Sequence, residues 1–73
     1  MTTLDCICEG GKCTVSSVDS GGKIRSRLYD LGFVKGTPVE CIKKNKTISA
    51  YQIRGAVIAL HNDTSAGISV IKI

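Results

Sequence analysis

The chain has 73 residues, of which 42% are hydrophobic, enough apolar material for one compact core and no more. Ten Lys and Arg residues against six Asp and Glu residues give a net charge of +4, which favours acidic proteins, anionic lipid or nucleic acid as partners without choosing between them. The longest apolar run, residues 56–60, is far shorter than the roughly 20 residues that cross a bilayer, so we expect neither a membrane span nor a transporter.

We expect one domain over residues 1–73, and its first ten residues, MTTLDCICEG, form a cysteine-containing segment. This segment lacks the basic start, the long apolar stretch and the small-residue cleavage site of a signal peptide. We therefore expect a cytoplasmic protein. Thiols in that compartment are kept reduced, so disulfides are not expected.

The cysteines Cys6, Cys8 and Cys13 are the one group with the character of a metal site, because thiolates bind zinc, copper(I) and iron well. A closed zinc site uses four ligands, and neither Cys41 nor His61 has the spacing of a fourth. The three thiols are therefore weak candidates for transition-metal binding. Reduced thiols without metal are the preferred interpretation, and no cofactor is expected. Cys41 is expected to lie buried as a small apolar residue.

Residues 12–18, KCTVSSV, are rich in β-branched side chains and predict a first strand, which residues 19–22 break. An amphipathic helix is predicted next, because Ile24, Leu28 and Leu31 recur at the spacing of one helical face. Asp19 or Ser20 is the expected N-cap.

Gly32 follows the last periodic residue of this helix, where a left-handed conformation closes many helices, and Phe33 is placed to pack back on the final turn. The helix is therefore predicted to end before Gly32.

Four further strand segments follow, separated by turn residues. A strand over 39–43 and a basic loop over 43–46 lead to the next strand, over 48–54. Gly55 then allows a bend or bulge before a strand segment over 57–60. A polar connection over 61–67 precedes the last strand, 68–73. About five strands, with one short amphipathic helix between the first and second, predict a mainly β chain that forms a small, partly open β-barrel.

The residues for catalysis are scarce, with one histidine and six scattered carboxylates. His61 follows an apolar strand and is expected to face solvent at a turn, and Gly10-Gly11-Lys12 lacks the spacing of a phosphate-binding loop. We therefore expect a binding protein and no enzyme.

Basic residues fall into two clusters, one in the predicted helix and one in the hairpin loop, and each is either a docking surface or a solvated face. Barrels that bind nucleic acid usually add stacking aromatics to a positive groove, and this chain has only three aromatic residues. Nucleic acid is therefore not an expected partner. The clusters are Lys23, Arg25 and Arg27, and Lys43, Lys44 and Lys46.

Two blocks of the sequence, RLYDLGFVKGTPV at 27–39 and AYQIRGAVIAL at 50–60, followed by Ile68-Ser69-Val70, resemble the FeoA family. The co-occurrence of both blocks at this spacing is far more specific than one short motif. The resemblance covers about residues 11–73, so the cysteine segment lies outside it. The motif residues expected to shape the scaffold are Arg27, Leu28, Leu31, Gly32, Gly36, Arg54 and Gly55.

This resemblance implies an SH3-like β-barrel that serves as an accessory of FeoB, the membrane protein that imports ferrous iron, recruited by FeoB to the inner face of the membrane. It implies regulation through protein–protein binding, for which Lys23, Arg25, Tyr29 and Tyr51 are the candidate contact residues. Two alternatives stay open at this point: a small metal-binding protein that uses the three N-terminal thiols, and a stand-alone relative of the C-terminal domain of DtxR-type repressors.

Overall fold

The computed structural model describes residues 2–73, which form six strands, two α-helices and a 3₁₀ turn. The second helix is a single turn, and the 3₁₀ turn lies between the first two strands. The elements are β1 (Thr2–Thr3), the 3₁₀ turn (Leu4–Cys6), β2 (Lys12–Val18), α1 (Gly22–Leu31), β3 (Pro38–Lys43), β4 (Ile48–Ile53), β5 (Ala56–His61), α2 (Asn62–Ser65) and β6 (Ile68–Lys72).

All six strands belong to one antiparallel sheet with the order β1-β6-β2-β3-β4-β5. The mainly β prediction is confirmed, and each predicted strand lies within one residue of an observed one. The predicted count of about five is wrong, because Thr2 and Thr3 pair with Val70 and Ser69 as an additional edge strand. The helix consequently lies between the second and third strands. The sheet is curved but not closed, since β1 and β5 each have one unpaired edge.

Two register shifts interrupt the ladder, one in β2 between Val15 and Ser17 and one in β3 between Cys41 and Lys43, and shifts of this kind bend a strand and increase its twist. Gly55 is not a bulge, because it belongs to the tight turn between β4 and β5. Arg54 and Gly55 have φ angles of 52° and 80°, which is the signature of a two-residue type I′ hairpin turn.

Helix α1 begins without the predicted side-chain cap. Gly21 occupies the N-cap position and no side chain bonds to the first turn. Asp19 is engaged elsewhere, since its carboxylate accepts hydrogen bonds from Ser69 Oγ at 2.7 Å and Ser17 Oγ at 3.4 Å. The carbonyl of Ser20 accepts a bond from Arg25 Nε at 3.0 Å, so this cation helps to hold the helix start.

The predicted end of α1 is confirmed. Gly32 has a φ angle of 110°, its N–H donates to the Tyr29 carbonyl at 3.0 Å, and the Phe33 N–H donates to the Leu28 carbonyl at 2.9 Å. This pair of bonds is a Schellman motif, and Phe33 is completely buried. The chain therefore leaves the helix in a fixed direction and enters the core at once.

The core fills the concave side of the sheet, where alternate residues of each long strand point inward. Helix α1 contributes less to it than the sequence pattern predicts. Leu28 is 2% exposed and Leu31 packs against the core, but Ile24 is 53% exposed. The core side chains are Leu4, Ile7, Cys13, Val15, Val18, Leu28, Phe33, Val39, Cys41, Tyr51, Ile53, Leu60, Ile68 and Val70.

Among residues 2–73, no helix has the length and apolar character that crossing a bilayer requires.

Candidate functional site

The exposed side of α1 combines cationic and apolar side chains. Ile24 is 53% exposed and Tyr29 is 45% exposed, and three basic residues of the same helix are also exposed. We refer to these five residues as the helix surface: Lys23, Ile24, Arg25, Arg27 and Tyr29. Lys23, Arg25 and Tyr29, three of the four predicted contact residues, therefore lie on one accessible helix. With about 100° between successive residues, Arg25 and Tyr29 lie on one flank of α1, and Lys23 and Arg27 lie on the other. The helix thus offers cations and apolar side chains on two flanks to a partner that carries acidic groups.

Beside the helix surface, α1 and β5 enclose an open groove of about 200 Å³. Leu28 and Leu31 give this groove an apolar side, and Arg27 adds a charge to its wall. The opposite wall is made by the end of β5 and by α2, and it includes Ala59, His61 and Thr64. We refer to this depression as the α1–β5 groove. His61 is exposed at the end of its strand, as predicted.

The far end of α1 lies against Arg54 of the β4–β5 hairpin. A Cβ atom placed on Gly32 would lie 2.9 Å from Arg54 Cδ and 3.2 Å from Arg54 Nε, so the arginine stem passes directly over the helix end. Gly32, Gly36 and Gly55 all have positive φ, a conformation that glycine adopts without steric cost. Arg27, which was also expected to shape the scaffold, has its side chain exposed on the wall of the groove.

The basic cluster of the β3–β4 loop divides into one structural lysine and two exposed ones. Lys44 Nζ donates to the carbonyls of Asp5 and Ile7, and the Lys44 backbone N–H donates to Glu9 Oε1 at 2.9 Å. This lysine therefore fastens the N-terminal segment to the sheet. Lys43 and Lys46 remain exposed.

The three candidate metal-binding thiols are not brought together. Cys6 and Cys8 are exposed, whereas Cys13 is buried, and residues 2–73 contain no group of three His, Cys, Asp or Glu side chains placed to hold a metal ion. Burial raises the pKa of the Cys13 thiol, with a smaller contribution from Cys41 beside it, and burial likewise raises the pKa of Cys41. The predicted burial of Cys41 is confirmed at 0% exposure.

Tyr51 corrects the list of candidate contact residues. Its side chain is 0% exposed and forms part of the core, so it cannot touch a partner protein. Its Oη atom is buried without a hydrogen-bond partner among residues 2–73. Strand alternation in β4 could have predicted the burial of Tyr51, because Ser49, Tyr51 and Ile53 share one face of the strand and all three are buried.

A polar cluster centred on Asn62 was not predicted from the sequence. Asn62 Nδ2 donates to the carbonyls of Asn45 and Lys46, both at 2.9 Å, and Asn62 Oδ1 accepts from the buried Ser49 Oγ at 2.8 Å. This network joins the β3–β4 loop to the start of α2. No sequence periodicity predicts this network, since its members come from three separate elements.

The sequence profile of the FeoA domain matches residues 2–72, and this match takes in the cysteine segment that the motif resemblance left outside. The chain is also similar to the FeoA of Stenotrophomonas maltophilia, a prokaryotic SH3 domain protein whose structure was solved with zinc. The two share 26% identity over 96% of this chain and 89% of the relative, with a TM-score of 0.86. The SH3-like fold implied by the resemblance is thereby supported, with an open sheet.

More distant likenesses show the fold alone. A FeoA-like protein of Clostridium acetobutylicum is 23% identical over 99% of this chain and 86% of its own length, with a TM-score of 0.88. A manganese-dependent transcriptional repressor in complex with manganese is 15% identical, and this chain covers 36% of it at a TM-score of 0.91. A comparison with curated proteins gave no match.

Proposed function

The chain belongs to the FeoA family, which is associated with ferrous iron transport, and from this premise we propose that it assists ferrous iron uptake by binding the cytosolic portion of the membrane transporter FeoB. In this proposal the protein is cytoplasmic, is recruited to the membrane by its partner, and has no catalytic activity of its own. Its effect on transport is delivered through contact.

The observation that carries this proposal is the helix surface. Ile24 and Tyr29 are large apolar side chains left in solvent, and they lie on the same helix as Lys23, Arg25 and Arg27. Exposed aromatic and apolar anchors surrounded by charge are typical of transient protein interfaces. The cations speed encounter with an acidic surface, and the apolar side chains contribute most of the affinity.

A pull-down of FeoB with the purified protein at rising salt tests the proposal. The Lys23→Glu, Arg25→Glu double variant reverses two charges of the helix surface and is expected to reduce capture at least about tenfold at low salt. Its matched control is the Lys43→Glu, Lys72→Glu double variant, which makes the same change of net charge at exposed lysines outside α1. The control is expected to retain wild-type capture.

Two results would count against the proposal in different ways. Equal capture of FeoB by wild type and by the helix variant would remove the helix surface from the interface. Failure of the wild-type protein to capture FeoB at any salt concentration would remove FeoB as the partner.

The alternatives have less support. A metal-binding role through Cys6, Cys8 and Cys13 lacks convergent thiols within residues 2–73. A relationship in function to DtxR-type repressors rests on fold alone, at 15% identity to a protein of which this chain covers 36%.

A further inference from the structure

Strand β5 is an edge strand without the usual protection. It is the last strand of the sheet order and pairs with β4 alone, over all six of its residues and without a register shift. Its sequence, AVIALH, contains no proline, lysine or acidic residue. Natural edges are usually kept short or are blocked by such residues or by bulges. The opposite edge, β1, follows that rule because it has two residues.

The unpaired side of β5 presents backbone groups at regular intervals. The two-residue turn makes Ile53 and Ala56 a hydrogen-bonded pair, and hydrogen-bonded and non-bonded pairs then alternate along the hairpin. Besides His61, whose carbonyl accepts a hydrogen bond from Ser65 Oγ at 3.4 Å, the residues whose N–H and C=O groups point away from β4 are therefore Val57 and Ala59. No hydrogen bond from another part of residues 2–73 reaches either of them.

The α1–β5 groove lies beside this edge and gives it a chemical character. Its walls include the exposed Ile24 on α1 and Ala59 on β5, and its polar lining residues are Arg27, His61 and Thr64. Val57 adds a side chain that is 64% exposed. A chain lying along β5 thus meets apolar side chains and a cation together.

We propose that β5 and the α1–β5 groove bind an extended acidic segment of the partner protein, which adds to the sheet as a further strand. Its backbone pairs with Val57 and Ala59, an apolar side chain enters the groove, and an Asp or Glu side chain faces Arg27. This inference rests on the proposed function, because two residues of its helix surface, Ile24 and Arg27, line the same groove. It specifies the conformation and the chemistry of the segment that is recognised.

Charge argues against a second copy of this chain as the occupant. The chain carries a net charge of +4, and pairing two β5 edges would bring two copies of the basic helix α1 close together. Like charges placed opposite each other disfavour such an interface. An acidic segment of another protein has the complementary charge.

Proline substitutions test strand addition directly. The variants Val57→Pro and Ala59→Pro each remove an N–H that points outward, so the ladder to β4 keeps its hydrogen bonds. The matched controls, Val57→Thr and Ala59→Ser, keep the N–H. The probes are detergent-solubilised FeoB and a capped peptide of alternating Val and Glu residues, and the ¹⁵N–¹H spectrum of each variant verifies its fold.

Binding of FeoB is expected to fall at least about tenfold in the proline variants and to change less than about twofold in the controls. Amide exchange at Val57 and Ala59 is expected to slow when either probe binds. If FeoB binds the proline variants as tightly as the wild type, strand addition is refuted while the proposed function stands.

The remaining outcomes separate the two proposals further. Slowed exchange with the peptide but no binding of FeoB would support the acidic-strand site and refute FeoB as the partner. Slowed exchange that depends on protein concentration without any probe, together with a dimer mass, would identify a second copy as the occupant and overturn the inference. Absence of binding by both probes would overturn both proposals.

Discussion

The substitution Gly32→Ala tests how α1 is fixed beside the β4–β5 hairpin. Gly32 ends the helix with a φ angle of 110°, and the added Cβ atom would lie 2.9 Å from Arg54 Cδ. Two unfavourable effects therefore combine at one position. One is the backbone conformation, which alanine rarely adopts, and the other is a contact that forces the arginine stem to move.

The two effects have similar expected sizes. Left-handed backbone costs a residue with a Cβ atom about 1–2 kcal/mol, and displacing a flexible side chain adds up to about 1 kcal/mol. The free energy of unfolding is therefore expected to fall by about 1–3 kcal/mol, and the melting temperature by about 5–20 °C for a domain of this size.

Thermal and urea unfolding of three further variants separates the two effects. Gly36→Ala has a comparable φ angle of 90° with no atom within 4 Å of the added Cβ, so it reports backbone strain alone. In a protein that already carries Arg54→Ala, the contact with the arginine stem is gone. There, Gly32→Ala is expected to lower the free energy of unfolding only by as much as Gly36→Ala does in the wild type. A Gly32→Ala variant within about 0.5 kcal/mol of wild type would refute this account of the helix end.

Four further predictions concern the core and the loops. Tyr51→Phe removes a buried hydroxyl that has no hydrogen-bond partner within residues 2–73, so urea unfolding should show a gain of about 1 kcal/mol, and a clear loss would contradict this. Asn62→Ala breaks the loop network and should lower stability by about 1–3 kcal/mol, with Asn62→Asp, which retains the acceptor, in between. Thiol labelling should reach two cysteines in the native protein and four after unfolding, whereas rapid native labelling of Cys13 or Cys41 would contradict their burial. Burial raises the folded-state pKa of the Cys13 and Cys41 thiols, so they stay protonated in the folded protein at a pH where they ionise in the unfolded chain. The free energy of unfolding is therefore expected to keep its full value below the unfolded thiol pKa of about 8.5. Above that pH it should fall, by up to about 1.4 kcal/mol per pH unit for each thiol.

Local sequence signals predicted most of the fold. The β-branched run of β2 and the Gly32-Phe33 helix end depend on neighbouring residues, and both are observed as expected. Features that depend on distant residues were missed. The strand β1 exists because Thr2 and Thr3 meet Val70 and Ser69, and two residues carry no periodicity of their own. The missing N-cap has the same origin, since the side chain that was expected to cap the helix is bonded to β6.

The candidate site was predicted in part. Lys23, Arg25 and Tyr29 are exposed on one helix, as a docking role requires. Tyr51 was misassigned because an aromatic residue was weighed as a contact without regard to its face of the strand. Ile24 was expected in the core. Helical periodicity identifies the apolar face of a helix, but it does not show how much of that face packs against the sheet. The edge position of β5 follows from strand order, which no local pattern reveals.

Binding of FeoB through α1 is the proposed basis of this protein's action. Calorimetric titration of the cytosolic portion of FeoB with the full chain, at low and at high salt, tests it most directly. The account predicts saturable binding that weakens as salt rises and is lost in the Lys23→Glu, Arg25→Glu variant. Absence of saturable binding by the wild-type chain at low salt, or binding that is indifferent to both salt and the charge reversal, would contradict it.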